Sequence, residues 1–171
     1  MDAGAMSRLA LLSVVFLSSP AVAADDGKVA RKSLIGLRGV SVLVEDLPTE
    51  AQRVGLTTGA IQTDAELRLR LAGIAVLSDD VADKTCAPVL YLDAMVYHTD
   101  QPLWGYSTTV ALLQCVQLVR DPAIMVTNAT TWEIMRVGGA ARPPNVTDRV
   151  RTELKDQVDS FINAYLAMNP K

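Results

Sequence analysis

The 171-residue sequence has one histidine, two cysteines and no excess of basic residues, with 16 Lys and Arg against 19 Asp and Glu for a formal net charge of -3. Each scarcity closes off a class of function. A metal site needs several converging donors, and His98, the sole histidine, reads as a loop residue near Asp100 rather than as a lone ligand or general base. No serine stands in a Gly-x-Ser-x-Gly elbow, so a hydrolase triad has nothing to build on. Gly138-Gly139 lacks the Gly-rich fingerprint or P-loop lysine of a nucleotide site and reads as a bend between a strand and a helix. Asp79, Asp80 and Asp83 form an oxygen-rich cluster without the glycine-turned spacing of a calcium loop. The Lys and Arg residues are scattered and form no basic stripe for phosphate, which argues against a nucleic-acid partner. Catalytic, cofactor and metal residues are therefore all absent from the expectation, and the chain reads as non-enzymatic.

Long apolar runs are scarce too. Crossing about 30 Å of hydrocarbon takes roughly 20 apolar residues, and the longest run, Leu9 to Leu17, falls well short. Arg8 precedes it, Ser18-Ser19-Pro20 ends it, and Ala21-Val22-Ala23 offers small residues where a signal peptidase reads. This pattern predicts a bacterial signal peptide over 1–23, cleavage after Ala23, and a periplasmic or secreted mature chain with no integral membrane segment. The remainder, about 148 residues, suits one core. Half of the residues are hydrophobic, and repeats and low-complexity tracts are missing, as expected of a globular chain. The expected division is a flexible leader over 24–37 and one α+β domain over 38–171.

Hydrophobic periodicity fills in that domain. Val40 to Glu45 alternates as a strand, and Pro48 to Val54 can make one or two helical turns stopped by Gly55. Thr57 or Thr58 can cap a helix that runs to Leu71 and is ended by Gly73. Its stripe is Ile61, Ala65, Leu69 and Ala72, widened by Leu67 and Leu71. Ile74 to Leu77 follows as a short buried strand, completing a β-α-β unit with parallel strands. Val89 to Tyr97, Tyr106 to Val119 and Val126 to Val137 then form an antiparallel meander, with a loop holding Asp100, Pro102 and Gly105 and a turn at Arg120 to Ala123. A last helix begins near Asn145 to Thr147 and carries Val150, Leu154, Val158, Phe161, Tyr165 and Met168 at helical spacing. The expected fold is an α+β two-layer sandwich, an about five-stranded mixed sheet with the long C-terminal helix on one face.

Pairing His98 with Tyr106 and Leu118 with Val126 places the largest side chains together. Leu90, Leu92, Ala94, Val96, Val110, Leu112, Val116, Leu118, Val126, Trp132 and Ile134 then face the helices. Tyr91, Met95, Tyr97, Leu113 and Met135 project from the opposite face, where no third layer is left to cover them, and form a candidate partner surface. The same register sets Cys115 opposite Val89, a few residues from Cys86. Export favours a disulfide, but Pro88 would have to turn the chain back, so a bridge and two buried thiols both remain open.

The segments Thr63 to Arg70 with Ala72-Gly73-Ile74, Val42 to Leu47, Thr130-Thr131-Trp132, and Phe161 to Leu166 with Asn169-Pro170 resemble a family of small exported bacterial proteins of unassigned function. The likeness spans Arg38 to Lys171 and implies no activity. In order of elements the chain is also similar to the N-terminal domain of the Tol-Pal system's propeller protein, an analogy of fold that says little of function. Two expectations follow. The favoured one is a module that binds another envelope protein by its mixed sheet face or a sheet edge. The alternative is a small-molecule or lipid carrier with a pocket between sheet and C-terminal helix.

Overall fold

A computed structural model describes residues 28–78, 86–98, 103–140 and 143–170. The expected signal peptide, the Asp79, Asp80 and Asp83 cluster, and Asp100 lie outside these residues. Four strands form one mixed sheet in the order β1 (Ser41–Val44), β2 (Val89–His98), β3 (Trp104–Leu118) and β4 (Asp121–Ala140). β1 runs parallel to β2, and the other neighbours are antiparallel. The expected fifth strand is reduced to one parallel bridge, Val40 with Val76. There Val40 N–H donates to the Ala75 carbonyl at 3.0 Å and Leu77 N–H donates to the Val40 carbonyl at 2.9 Å.

The helices are α1 (Lys28–Lys32), α2 (Thr49–Arg53), α3 (Thr58–Leu71) and α4 (Pro143–Met168). Thr57 caps α3, its Oγ1 accepting from Ala60 N–H at 3.2 Å, and Gly73 follows the helix at a φ of 79°. Ile61, Ala65 and Leu69 are buried as the periodicity predicts, but Leu67 and Leu71 stay exposed at 54% and 79% because the contact covers a narrower stripe. α4 begins at Pro143, so the Pro143-Pro144 pair opens the helix instead of preceding it, in keeping with proline's fitness for a first turn. Val146, Val150, Leu154, Val158 and Phe161 bury its sheet-facing stripe, and the Phe161 ring meets Trp132 edge-to-face with centroids 5.3 Å apart.

Residues expected to belong to the flexible leader are ordered from Lys28. Leu34 is completely buried in the core. Tyr165 donates from its hydroxyl to the Leu37 carbonyl at 3.0 Å, and Asn169 both donates to the Leu34 carbonyl at 2.9 Å and accepts from Gly36 N–H at 2.8 Å. The end of α4 thus straps this segment down.

The sheet register differs from expectation in an instructive way. β2 pairs with β3 two residues from the expected alignment, with His98 opposite Trp104, so every side chain keeps its face. β3 and β4 follow the expected alignment from Trp104–Ala140 to Leu112–Trp132, after which bulges shift it until Leu118 meets Asp121. Val126 consequently pairs with Val116 and is exposed. β4 begins at Asp121, so the expected turn residues Asp121 to Ala123 are already strand, and it continues through Gly138 and Gly139 instead of bending there. The two-residue shift between β2 and β3 moves Cys115 away from Val89 and toward Cys86. The two cysteines form a disulfide with Cα atoms 5.9 Å apart. Cys86 achieves this with a φ of 53°, and no reversal at Pro88 is needed.

Candidate functional site

α3 and α4 occupy one face of the sheet, and among the described residues no helix covers the other. The registers arrange that outer face in rows across the strands. Leu43, Tyr91, Ala111 and Glu133 form one row, and Asp93, Thr109 and Met135 the next. Met95, Ser107 and Val137 follow, then Tyr97, Gly105 and Gly139. Of the expected partner-face residues, Met95 and Tyr97 are each 48% exposed and Met135 is 58% exposed. Leu113 is half-buried where the β3–β4 alignment shifts. Tyr91 is also half-buried, with the Glu45 carboxylate near its hydroxyl. Two further residues complete the patch. Val137 would have followed from extending the β4 alternation through Gly139, whereas Leu43 depends on the β1–β2 alignment, which no pattern within either strand reveals.

The glycines shape the apolar end. A Cβ at Gly105 would overlap the Tyr97 ring, and one at Gly138 would overlap the Tyr106 ring, so each tyrosine lies across a neighbouring strand where no side chain intervenes. Tyr97 does this on the exposed face and Tyr106 inside the core.

Burial, the bond to Glu45 and the charges of Asp93 and Glu45 push the Tyr91 phenol up to about 12. Burial also raises the Asp93 carboxyl, with a smaller push from Glu45 and an opposing hydrogen bond from Ala94 N–H. In both groups burial is the larger cause and neighbouring carboxylates add to it.

Elsewhere the geometry offers less. Between α3, α4 and β2 lies a cavity of about 10 Å³ beside Leu92, Val158 and Asp64, room for one water molecule. Ion pairs border it: Arg151 donates twice to Asp64, at 2.7 and 3.0 Å, and Lys155 lies 3.4 Å from the same carboxylate. Arg68 of α3 also pairs with Asp159 of α4. An open depression of about 580 Å³ at the start of α3 is bordered by Asp46, Leu47, Gln52, Leu56, Thr57 and Thr58. His98 is exposed at the end of β2 with its ring edge-on to Trp104, centroids 4.8 Å apart. No group of three or more His, Cys, Asp or Glu side chains able to hold a metal occurs among the described residues.

No family model matches the sequence, and no curated protein matches it. Among solved structures, the chain is similar to a PelC dodecamer from Paraburkholderia phytofirmans. The identity is 19%, the coverage 71% of this chain and 90% of that one, and the TM-score 0.39. That is a slight likeness of shape and carries no argument about function.

Proposed function

We propose that this chain is an exported envelope module that binds another protein through its uncovered sheet face and carries out no catalytic step of its own. The observation that carries this reading is the grouping of Leu43, Met95, Tyr97, Met135 and Val137, all exposed, on the sheet face that no helix among the described residues covers. The disulfide is compatible with an oxidising compartment, and no helix among the described residues is long and apolar enough to cross a membrane. Kinship with small exported bacterial proteins is part of the same proposal. The carrier alternative needs a concavity of a few hundred Å³ beneath α4, and the cavity beside Leu154 and Val158 measures about 10 Å³.

Photo-crosslinking in the native envelope tests the proposal. A benzoylphenylalanine at Met95 or Met135 is expected to form a discrete adduct with a protein, whereas one at Leu67, equally exposed on α3, is not. Adducts absent from both face positions, or equal at Leu67, overturn it.

A further inference from the structure

The outer face has one sign of charge. Glu133 lies in the row of Leu43 and Tyr91, and Asp93 lies in the next. Glu45 follows Val44 at the end of β1, where its N–H donates to the Leu92 carbonyl at 2.9 Å. The only Lys or Arg in the four strands is Arg136, which belongs to the opposite face and sits 3.6 Å from Glu153 of α4. The three carboxylates therefore have no cation on their own surface among the described strand residues. Burial leads the rise of the Tyr91 and Asp93 groups, and the neighbouring carboxylates add a smaller push in the same direction.

Exposed apolar side chains adjoin the carboxylates on this face. Asp93 shares its row with Met135, Glu133 shares the row of Leu43 and Tyr91, and Met95, Val137 and Tyr97 fill the rows beyond Asp93. From Asp93 to Tyr97 the strand advances roughly 13 Å, the length of about nine residues of helix. An anionic lipid surface would be repelled by the carboxylates, and so would a second copy of the same face. A short chain segment with cationic and apolar side chains fits both the carboxylates and the apolar groups beside them.

We infer that the outer face receives a cationic amphipathic segment of its protein partner, with Lys or Arg side chains at Glu45 and Asp93 and apolar side chains on Met95, Tyr97, Met135 and Val137. This rests on the proposed role of the face in protein binding and specifies the chemistry of what it binds. Carboxylates at the rim steer a cationic segment and set its orientation, while the methionines supply an adaptable apolar floor.

The test uses the folded mature chain and a synthetic peptide of about 14 residues in which Leu and Lys alternate at helical spacing, read by fluorescence anisotropy. Two control peptides replace Lys by Glu or Leu by Ser. The Leu–Lys peptide is expected to bind and to weaken about tenfold between roughly 50 and 500 mM salt. The triple variant E45Q/D93N/E133Q and the double variant M95S/M135S should each weaken it by about fivefold or more, with melting temperatures showing that both remain folded. The charge-reversed variant E45K/D93K should instead favour the Leu–Glu peptide, which separates recognition from damage. Equal binding of the Leu–Lys and Leu–Glu peptides, equal binding of the Ser-substituted peptide, or indifference to either set of substitutions overturns the inference. The Met95 crosslink reads the face separately. An adduct there without a preference for cations leaves the proposed function standing and removes only this refinement.

Discussion

Gln157 is completely buried on the sheet-facing side of α4, and its Nε2 donates to the carbonyl oxygens of Thr108 at 3.1 Å and Ile134 at 3.3 Å, which ties the helix to β3 and β4 together. Among the described residues its Oε1 has no hydrogen-bond partner, and neither do Thr108 Oγ1 and Trp132 Nε1. Two buried bonds weigh about 0.5 to 1.5 kcal/mol each in net stability, and truncation adds a cavity. Gln157→Ala should therefore destabilise the fold by about 2 to 4 kcal/mol in urea unfolding. Gln157→Met keeps the volume and removes the unpartnered oxygen, so its loss should be near 1 kcal/mol. A Met variant as unstable as the Ala variant would show that the hydrogen bonds, and not the filled volume, hold the helix.

The Cys86–Cys115 bridge closes a loop with a sequence separation of 29 between the start of β2 and the bulged end of β3. On the chain-entropy account a loop of this length stabilises by roughly 3 to 4 kcal/mol. The double variant C86S/C115S should lose that much, with the slope of the denaturation curve showing whether the unfolded chain has expanded. Two titratable thiols in denatured, unreduced protein taken from the envelope would mean that the bridge does not form there.

How far the sequence reveals this fold depends on what each signal can distinguish. The period of two separates the faces of a strand, so Leu90, Leu92, Val110 and Leu112 were legible as core, and all are buried. The same period cannot separate two registers that differ by two residues, because both keep every side chain on its face. That is why the expected pairing of His98 missed Trp104 and left Cys86 out of reach of Cys115. The bulges beyond Leu112 break the period itself, and Val126 was misplaced there. Glycine and proline also misled locally. Gly105, Pro122, Gly138 and Gly139 look like turn residues yet lie inside strands, two of them because a tyrosine ring needs the space. At the candidate site Met95, Tyr97 and Met135 followed from alternation alone, whereas placing Leu43 and Glu45 beside them required the alignment of β1 with β2, a long-range contact.

Gly105 and Gly138 should respond differently to the same substitution. A Cβ at either one overlaps a tyrosine ring, but the Tyr97 ring over Gly105 is half exposed and can swing into solvent, while the Tyr106 ring over Gly138 is buried. Gly105→Ala is expected to cost under about 1 kcal/mol, partly offset by alanine's lower backbone entropy when unfolded. Gly138→Ala must displace a packed ring and should cost about 2 kcal/mol or more. Thermal unfolding of both variants decides this, and equal losses would mean that Tyr106 has an alternative rotamer within the core.

The Tyr91–Glu45 pair gives the outer face a signature that can be read without a partner. Burial leads the rise of the Tyr91 phenol from 10.0 to about 12, and the Glu45 carboxylate adds to it by accepting the phenol hydrogen and by opposing a second negative charge, with Asp93 contributing as well. The folded chain thus keeps a proton that the unfolded chain releases. Stability from this group is complete below the ordinary phenol pKa and is lost as pH rises from there through about 12. In ring-carbon NMR of labelled tyrosine, Tyr91 should titrate later than a free phenol. Glu45→Gln should bring its midpoint down without restoring the ordinary value, since burial remains. The same variant should show a shallower loss of urea resistance between pH 10 and 12 than the parent chain. A Tyr91 midpoint at the ordinary value, or one that Glu45→Gln leaves unmoved, would mean that the phenol is not bonded to Glu45 in solution and that the acidic end of the face is more open than the structure shows.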